Sequence, residues 1–178
     1  HYYYGGEYGF SESETQAVKN LAMQYNFVCQ MSFHSFGEYV MYPWSATSLI
    51  CPDLDICENM GNAMAQLFIG DSGNRYTPYA TTGMLGMTMN WFYGARGAIS
   101  FLIELNSDVV GMIPPGSEIE ERASRYYTGA KYLLERMTSG GITGHITDSV
   151  TGAPIHAAVD ITDRISTVVD QRYSDSVY

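Results

Sequence analysis

The sequence predicts an α/β fold, a mixed sheet flanked by helices, followed by an incomplete β-sandwich module. Three observations carry this expectation. Residues 98–105 (AISFLIEL) form a nearly continuous apolar run, the pattern of a strand covered on both faces. Apolar residues recur at helical spacing over 12–24, 55–68 and 118–137. After Gly140-Gly141 the helical period gives way to short strands separated by turn residues. The boundary divides the chain into residues 1–139 and 140–178.

Taken in order, Ser11-Glu12-Ser13-Glu14 reads as a capping box, with Ser11 capping a helix and Glu14 reaching back to it. The helix that follows, 12–24, should bury Ala17, Leu21 and Ala22. Residues 27–33 (FVCQMSF) and 38–42 (EYVMY) read as strands, the second ended by Pro43, which cannot donate to a ladder. A second helix over 55–68 carries Met60, Ala63, Met64 and Leu67 on one face, and 70–86 reads as a loop rich in Gly, Ser, Thr and Tyr. Pro114-Pro115-Gly116-Ser117 turns the chain into the longest helix, 118–137, striped by Ile119, Ala123, Tyr126, Ala130, Leu133, Leu134 and Met137. Two further strands, 142–147 and 156–162, flank a turn at 148–154. A hairpin of this kind is marginal alone, so the second module is expected to be incomplete.

Composition narrows the function. The chain has 178 residues, 46% hydrophobic and 13% aromatic, values of a folded domain rather than a disordered one. A formal net charge of −10 argues against binding a phosphate backbone, so no nucleic-acid partner is expected. No stretch of ~20 apolar residues could span a bilayer. Opening at His1, without a signal pattern, suits a processed polypeptide. Cys29 lies in an apolar run and reads as a buried thiol, whereas Cys51 and Cys57 bracket a short loop that a disulfide could close. Such a bridge would imply an oxidising, extracellular setting.

Two residues stand out chemically. His34 follows an apolar strand in Ser32-Phe33-His34-Ser35-Phe36, and by itself reads as either a structural histidine or a ligand. Glu104 ends the buried run, where a carboxylate is costly unless it is paired, bound to metal or used in chemistry. Arg96 or a cluster of N-terminal amides is the candidate structural partner. A histidine and a glutamate at the ends of buried strands suggest metal-assisted hydrolysis at the edge of an α/β sheet.

The segment Ser32-Phe33-His34-Ser35-Phe36-Gly37, followed by Tyr42-Pro43-Trp44, resembles the zinc carboxypeptidases of peptidase family M14. So do Asn90-Trp91-Phe92-Tyr93-Gly94 with Phe101-Leu102-Ile103-Glu104-Leu105, and the shorter stretches Phe10-Ser11-Glu12 and Gly111 to Pro115. Four segments in order over residues 4–137 are more specific than any one motif. The resemblance implies the C-terminal half of a catalytic domain. It further implies His34 as a zinc ligand, Glu104 as general base, Ser35 and Tyr79 in contact with a peptide substrate, and Met89 in a pocket for apolar or aromatic C-terminal residues. Residues 141–158 resemble the first strands of a transthyretin-like module.

The resemblance is also incomplete. The family's His-x-x-Glu pair of zinc ligands and its carboxylate-gripping Asn-Arg pair do not occur before His34. A catalytic zinc needs three protein ligands. The implied partner is therefore the N-terminal half of the catalytic domain. The alternative is an inactive, self-assembling extracellular protein derived from such an enzyme, with copies of itself as partners and open sheet edges as the contact.

Overall fold

The computed structural model describes residues 6–44, 51–81, 86–139, 144–159 and 172–173. Four strands, β1 (Cys29–Ser35), β2 (Tyr39–Tyr42), β3 (Thr77–Ala80) and β4 (Ile99–Leu105), form one sheet in the order β1-β4-β2-β3. β4 runs parallel to β1 and antiparallel to β2, which in turn runs parallel to β3. Helices α1 (Ser13–Gln24), α2 (Leu54–Ala65), α3 (Thr88–Arg96) and α4 (Ile119–Ser139) flank this mixed sheet, the class the sequence implies.

Alternation along the strands decides which side chains meet which helices. Phe101 and Ile103 of β4 join Val40 and Tyr42 of β2 in the main core, against Met60 and Met64 of α2, Phe68, and Tyr126 and Leu133 of α4. The intervening residues point to the other face, where Leu102 and Met41 pack on Met89 of α3. Beside them Phe92 and Ala98 close on Ala22 of α1.

Several local expectations need correction. The capping box does not form: Glu12 occupies the N-cap of α1 without a side-chain cap bond, and the Ser11 hydroxyl donates to Glu12 Oε1 at 2.8 Å instead. On α1 only Ala22 is buried, and Leu21 is 49% exposed, because the helix touches the body along a narrow seam. Cys29 is half-buried rather than buried. The expected loop 70–86 contains β3, and α3 was not foreseen because its nine residues are too short for periodicity to declare. α4 is preceded by a 3-10 turn at Gly116–Glu118, and Ile119 and Leu134 of its supposed stripe are exposed. Its buried residues are instead Arg122, Tyr126, Gly129 and Leu133.

Gly129 explains how closely α4 sits. A Cβ there would stand 2.2 Å from the Phe68 ring, which is fully buried and cannot give way. Gly129→Ala should therefore lower stability by ~1–3 kcal/mol from overpacking, outweighing the ~1 kcal/mol that alanine gains in a helix. Urea denaturation of the variant checks this.

Past α4, the described residues 144–159 form a turn rather than two full strands. Asp148 Oδ1 accepts from the backbone of Val150 and Thr151 at 3.0 and 2.7 Å, and Thr147 bridges Pro154. A short antiparallel pair, β5 (Ala158–Val159) with β6 (Arg172–Tyr173), follows. Part of both expected strands lies outside the described residues.

Candidate active site

His34 and Glu104 are brought into direct register. They are partner positions on the parallel strands β1 and β4, and Tyr39 of β2 is the partner of Glu104 on its other side. In-register neighbours share a sheet face at a spacing of ~4.8 Å. A row His34, Glu104, Tyr39 therefore crosses three strands on one face. Leu102, two residues before Glu104, places the Met41–Leu102–Met89 cluster beside the row on that same face.

Glu104 is half-buried, and its Oε2 is buried with no hydrogen-bond partner among the described residues. Burial pushes its carboxyl above the ordinary value of 4.5, and the positive charge available at His34 opposes that shift. Arg96, the structural partner suggested by the sequence, donates to Asn26 Oδ1 at 3.3 Å instead.

The other nominated residues lie around this row in different ways. Tyr79 is in β3, two strands from Glu104, with its ring 6.0 Å from that of Tyr39. Met89 is fully buried against Met41 and Leu102. Ser35 follows His34 and so faces the opposite side of the sheet, where its hydroxyl donates to the Met112 carbonyl at 3.2 Å. That bond anchors the segment after β4 to the end of β1.

Sequence reasoning missed the polar cluster that holds the C-terminal end of β4. Asp71, in the turn before β3, accepts from the Ser107 backbone at 2.8 Å, the Ser107 hydroxyl at 2.9 Å, Arg122, and Arg125 at 3.3 Å. Arg122 also donates to Asn106 Oδ1 at 3.1 Å and to Glu118 Oε2 at 2.8 Å, and Tyr126 donates to Asn106 at 3.2 Å. Glu38 closes the ring, accepting the Asp71 backbone N–H at 2.6 Å. Asn106 and Ser107 come directly after Glu104-Leu105, so this cluster fixes the strand end that presents the carboxylate. One signal was available: Arg122 occupies the apolar stripe of α4, with Tyr126, Gly129 and Leu133 at helical spacing, where an unpaired charge would be untenable.

A parallel β1–β4 pair thus carries His34 and Glu104 at matched positions, beside a short antiparallel β2. The fold is that of the carboxypeptidases: the chain superposes on bovine thrombin-activatable fibrinolysis inhibitor in complex with tick carboxypeptidase inhibitor with a TM-score of 0.66 at 19% identity, covering 75% of this chain and 48% of that one. It superposes on carboxypeptidase A from Helicoverpa armigera with a TM-score of 0.64 at 17% identity, covering 76% and 36%. Residues 1–129 match the zinc carboxypeptidase family model, and the chain belongs to that family. It is similar to mouse carboxypeptidase A4 (28% identical over 75% of this chain and 33% of the relative). Carboxypeptidase B of the crayfish Astacus astacus is 26% identical over 73% and 46%, and bovine carboxypeptidase A1 25% identical over 74% and 33%. The chain thus spans between a third and a half of the length of these relatives.

The zinc that the family implies can be tested against the donors present. Among the described residues no three His, Cys, Asp or Glu side chains are grouped to hold a metal ion. His34 supplies one imidazole where a catalytic zinc needs three protein ligands. The described residues by themselves do not fit the ion.

Proposed function

We propose that this chain is the part of a metallocarboxypeptidase site that carries the general base, acting in removal of the C-terminal residue of a peptide. The in-register pair of His34 with a buried, unpartnered Glu104 supports this reading most directly. In it, Glu104 accepts the proton of the attacking water and delivers it to the nitrogen of the leaving amino acid, a transfer its raised proton affinity suits. His34 is the contribution of the described residues to a zinc ligand set, and the other ligands are assigned to a further segment of the catalytic domain. β1 lies at the sheet edge with the buried polar atoms Gln30 Oε1 and Ser32 Oγ unpartnered among the described residues, which suits pairing with the remainder of a catalytic domain. Tyr79 is assigned to the substrate side of the site, and Ser35, next to His34 at the end of β1, would reach a substrate backbone only by exchanging its bond to the Met112 carbonyl. Residues 140–178 are read as the start of a transthyretin-like module, and the whole protein as secreted.

Substrate choice is read from Met89, which packs with Met41 and Leu102 into a buried apolar layer on the face that carries Glu104. A peptide ending in Phe should be cleaved ~100-fold better than one ending in Arg, since an unpaired charge in such a pocket is costly. The test is release of the terminal residue from blocked peptides by protein carrying this chain together with the catalytic-domain segment that supplies the missing ligands. Release abolished by a chelator supports the reading. Absence of release from either peptide by zinc-loaded protein overturns it.

A further inference from the structure

His34 and Glu104 lie near the C-terminal ends of β1 and β4, and both ends converge on Asn106. Its backbone carbonyl accepts the Gly37 N–H at 2.9 Å, a rung that joins the chain just past His34 to the chain just past Glu104. Asn106 is 4% exposed, and its side chain reaches in two directions. Oδ1 accepts from Arg122 at 3.1 Å and from the Tyr126 hydroxyl at 3.2 Å, both on α4, while Nδ2 donates to the Gly111 carbonyl at 3.2 Å.

The backbone at Asn106 is left-handed, with φ 58°, a conformation that asparagine tolerates better than most residues with a side chain. It turns the chain out of β4 into a tight loop, closed where the Gly111 N–H donates to the Ser107 carbonyl at 2.8 Å. Asn106 Nδ2 holds this loop at Gly111, and the Ser35 hydroxyl holds the next residue, Met112, by its carbonyl. The loop is therefore clasped from both sides, by a residue beside the histidine and a residue just past the carboxylate.

We propose that Asn106 is a positioning residue of this site: its side chain fixes the end of β4 against the end of β1 and so sets the placement of Glu104 relative to His34. The proposal rests on the hydrolytic reading of that pair. A base and a metal ligand must converge on one water, and a misplacement of about 1 Å can cost ~100-fold in rate. Substrate binding depends far less on that spacing. A residue with a merely structural role would lower the amount of folded protein and leave kcat per folded molecule unchanged.

Two variants separate these roles, in protein carrying this chain together with the catalytic-domain segment that supplies the missing ligands. Asn106→Gly and Asn106→Ala both remove the bonds to Arg122, Tyr126 and Gly111, and both keep the carbonyl that takes the Gly37 N–H. Glycine accepts φ 58° without strain and alanine does not. The alanine variant should therefore unfold at a lower urea concentration than the glycine variant. Both should nonetheless lose the same ~10- to 100-fold in kcat per folded molecule, with KM within about twofold of the parent. Amide hydrogen exchange on the same preparations adds a readout that needs no hydrolysis. Peptides covering 34–37 and 104–112 should exchange at least ~10-fold faster in both variants, with α2 unchanged. Parent-like kcat in both variants, a loss of kcat that follows the urea midpoint, or exchange that rises equally in α2 would each overturn the proposal. Should the parent hydrolyse neither peptide, the hydrolytic reading falls, and exchange at 34–37 still decides whether Asn106 holds the two strand ends together.

Discussion

Glu104→Gln is expected to lower kcat/KM for release of a C-terminal residue by ~1,000-fold while leaving the fold intact. The amide keeps the shape of the side chain and removes only its capacity to accept and return a proton. Its environment supplies a second expectation. Glu104 Oε2 is buried without a hydrogen-bond partner among the described residues, so the charged carboxylate burdens the folded state at neutral pH. The variant should consequently unfold at an equal or higher urea concentration than the parent. Loss of activity with stability preserved distinguishes a residue of the reaction from one that merely supports β4. Unchanged hydrolysis by Glu104→Gln would remove Glu104 from the chemistry.

The second large effect is structural. Arg122→Ala should cost ~3–5 kcal/mol, because Arg122 is 6% exposed and its removal leaves Asp71 and Asn106 facing an emptied site. Asp71→Asn should cost less, ~1–3 kcal/mol, since the amide keeps the volume and part of the hydrogen bonding. Acid separates the two contributions further. Burial would raise the Asp71 carboxyl, but hydrogen bonds from the Ser107 backbone and hydroxyl and from Arg122, with its charge, outweigh burial and hold it below 3.8. A carboxyl depressed in the folded chain contributes stability that is present above its unfolded value and lost as pH falls through its folded one. The parent should therefore lose this contribution on descending below pH ~4, and Asp71→Asn should not. Urea midpoints at neutral pH and near pH 3 measure both effects. A neutral Arg122→Ala would mean that the cluster is peripheral.

The contrast between these two residues shows what the sequence disclosed. Glu104 was legible because it interrupts an apolar run that can only be a covered strand, and His34 because it follows another; their matched register was not legible, since pairing between distant strands leaves no local trace. β3 and α3 escaped notice for a different reason. Both are short, and the four residues of β3 and the mixed residues of α3 carry no clean period. Asp71 looked like one of several polar residues in a turn, and only the folded chain brings it against Arg122. The capping box is the converse case: a local pattern at 11–14 that the folded backbone does not use.

The order β1-β4-β2-β3 has a kinetic consequence. β2 and β3 lie between β1 and β4 in the chain, yet among the described residues β1 joins the sheet through β4, with Cys29 opposite Ile99. Closing so wide a loop costs entropy that the β1–β4 contacts return only after α2, β3 and α3 have been laid down. Contact order thus makes β1 docking a late event in folding, and His34 reaches Glu104 only at that stage. Partly folded chains would lack the paired His34 and Glu104 until the sheet is complete.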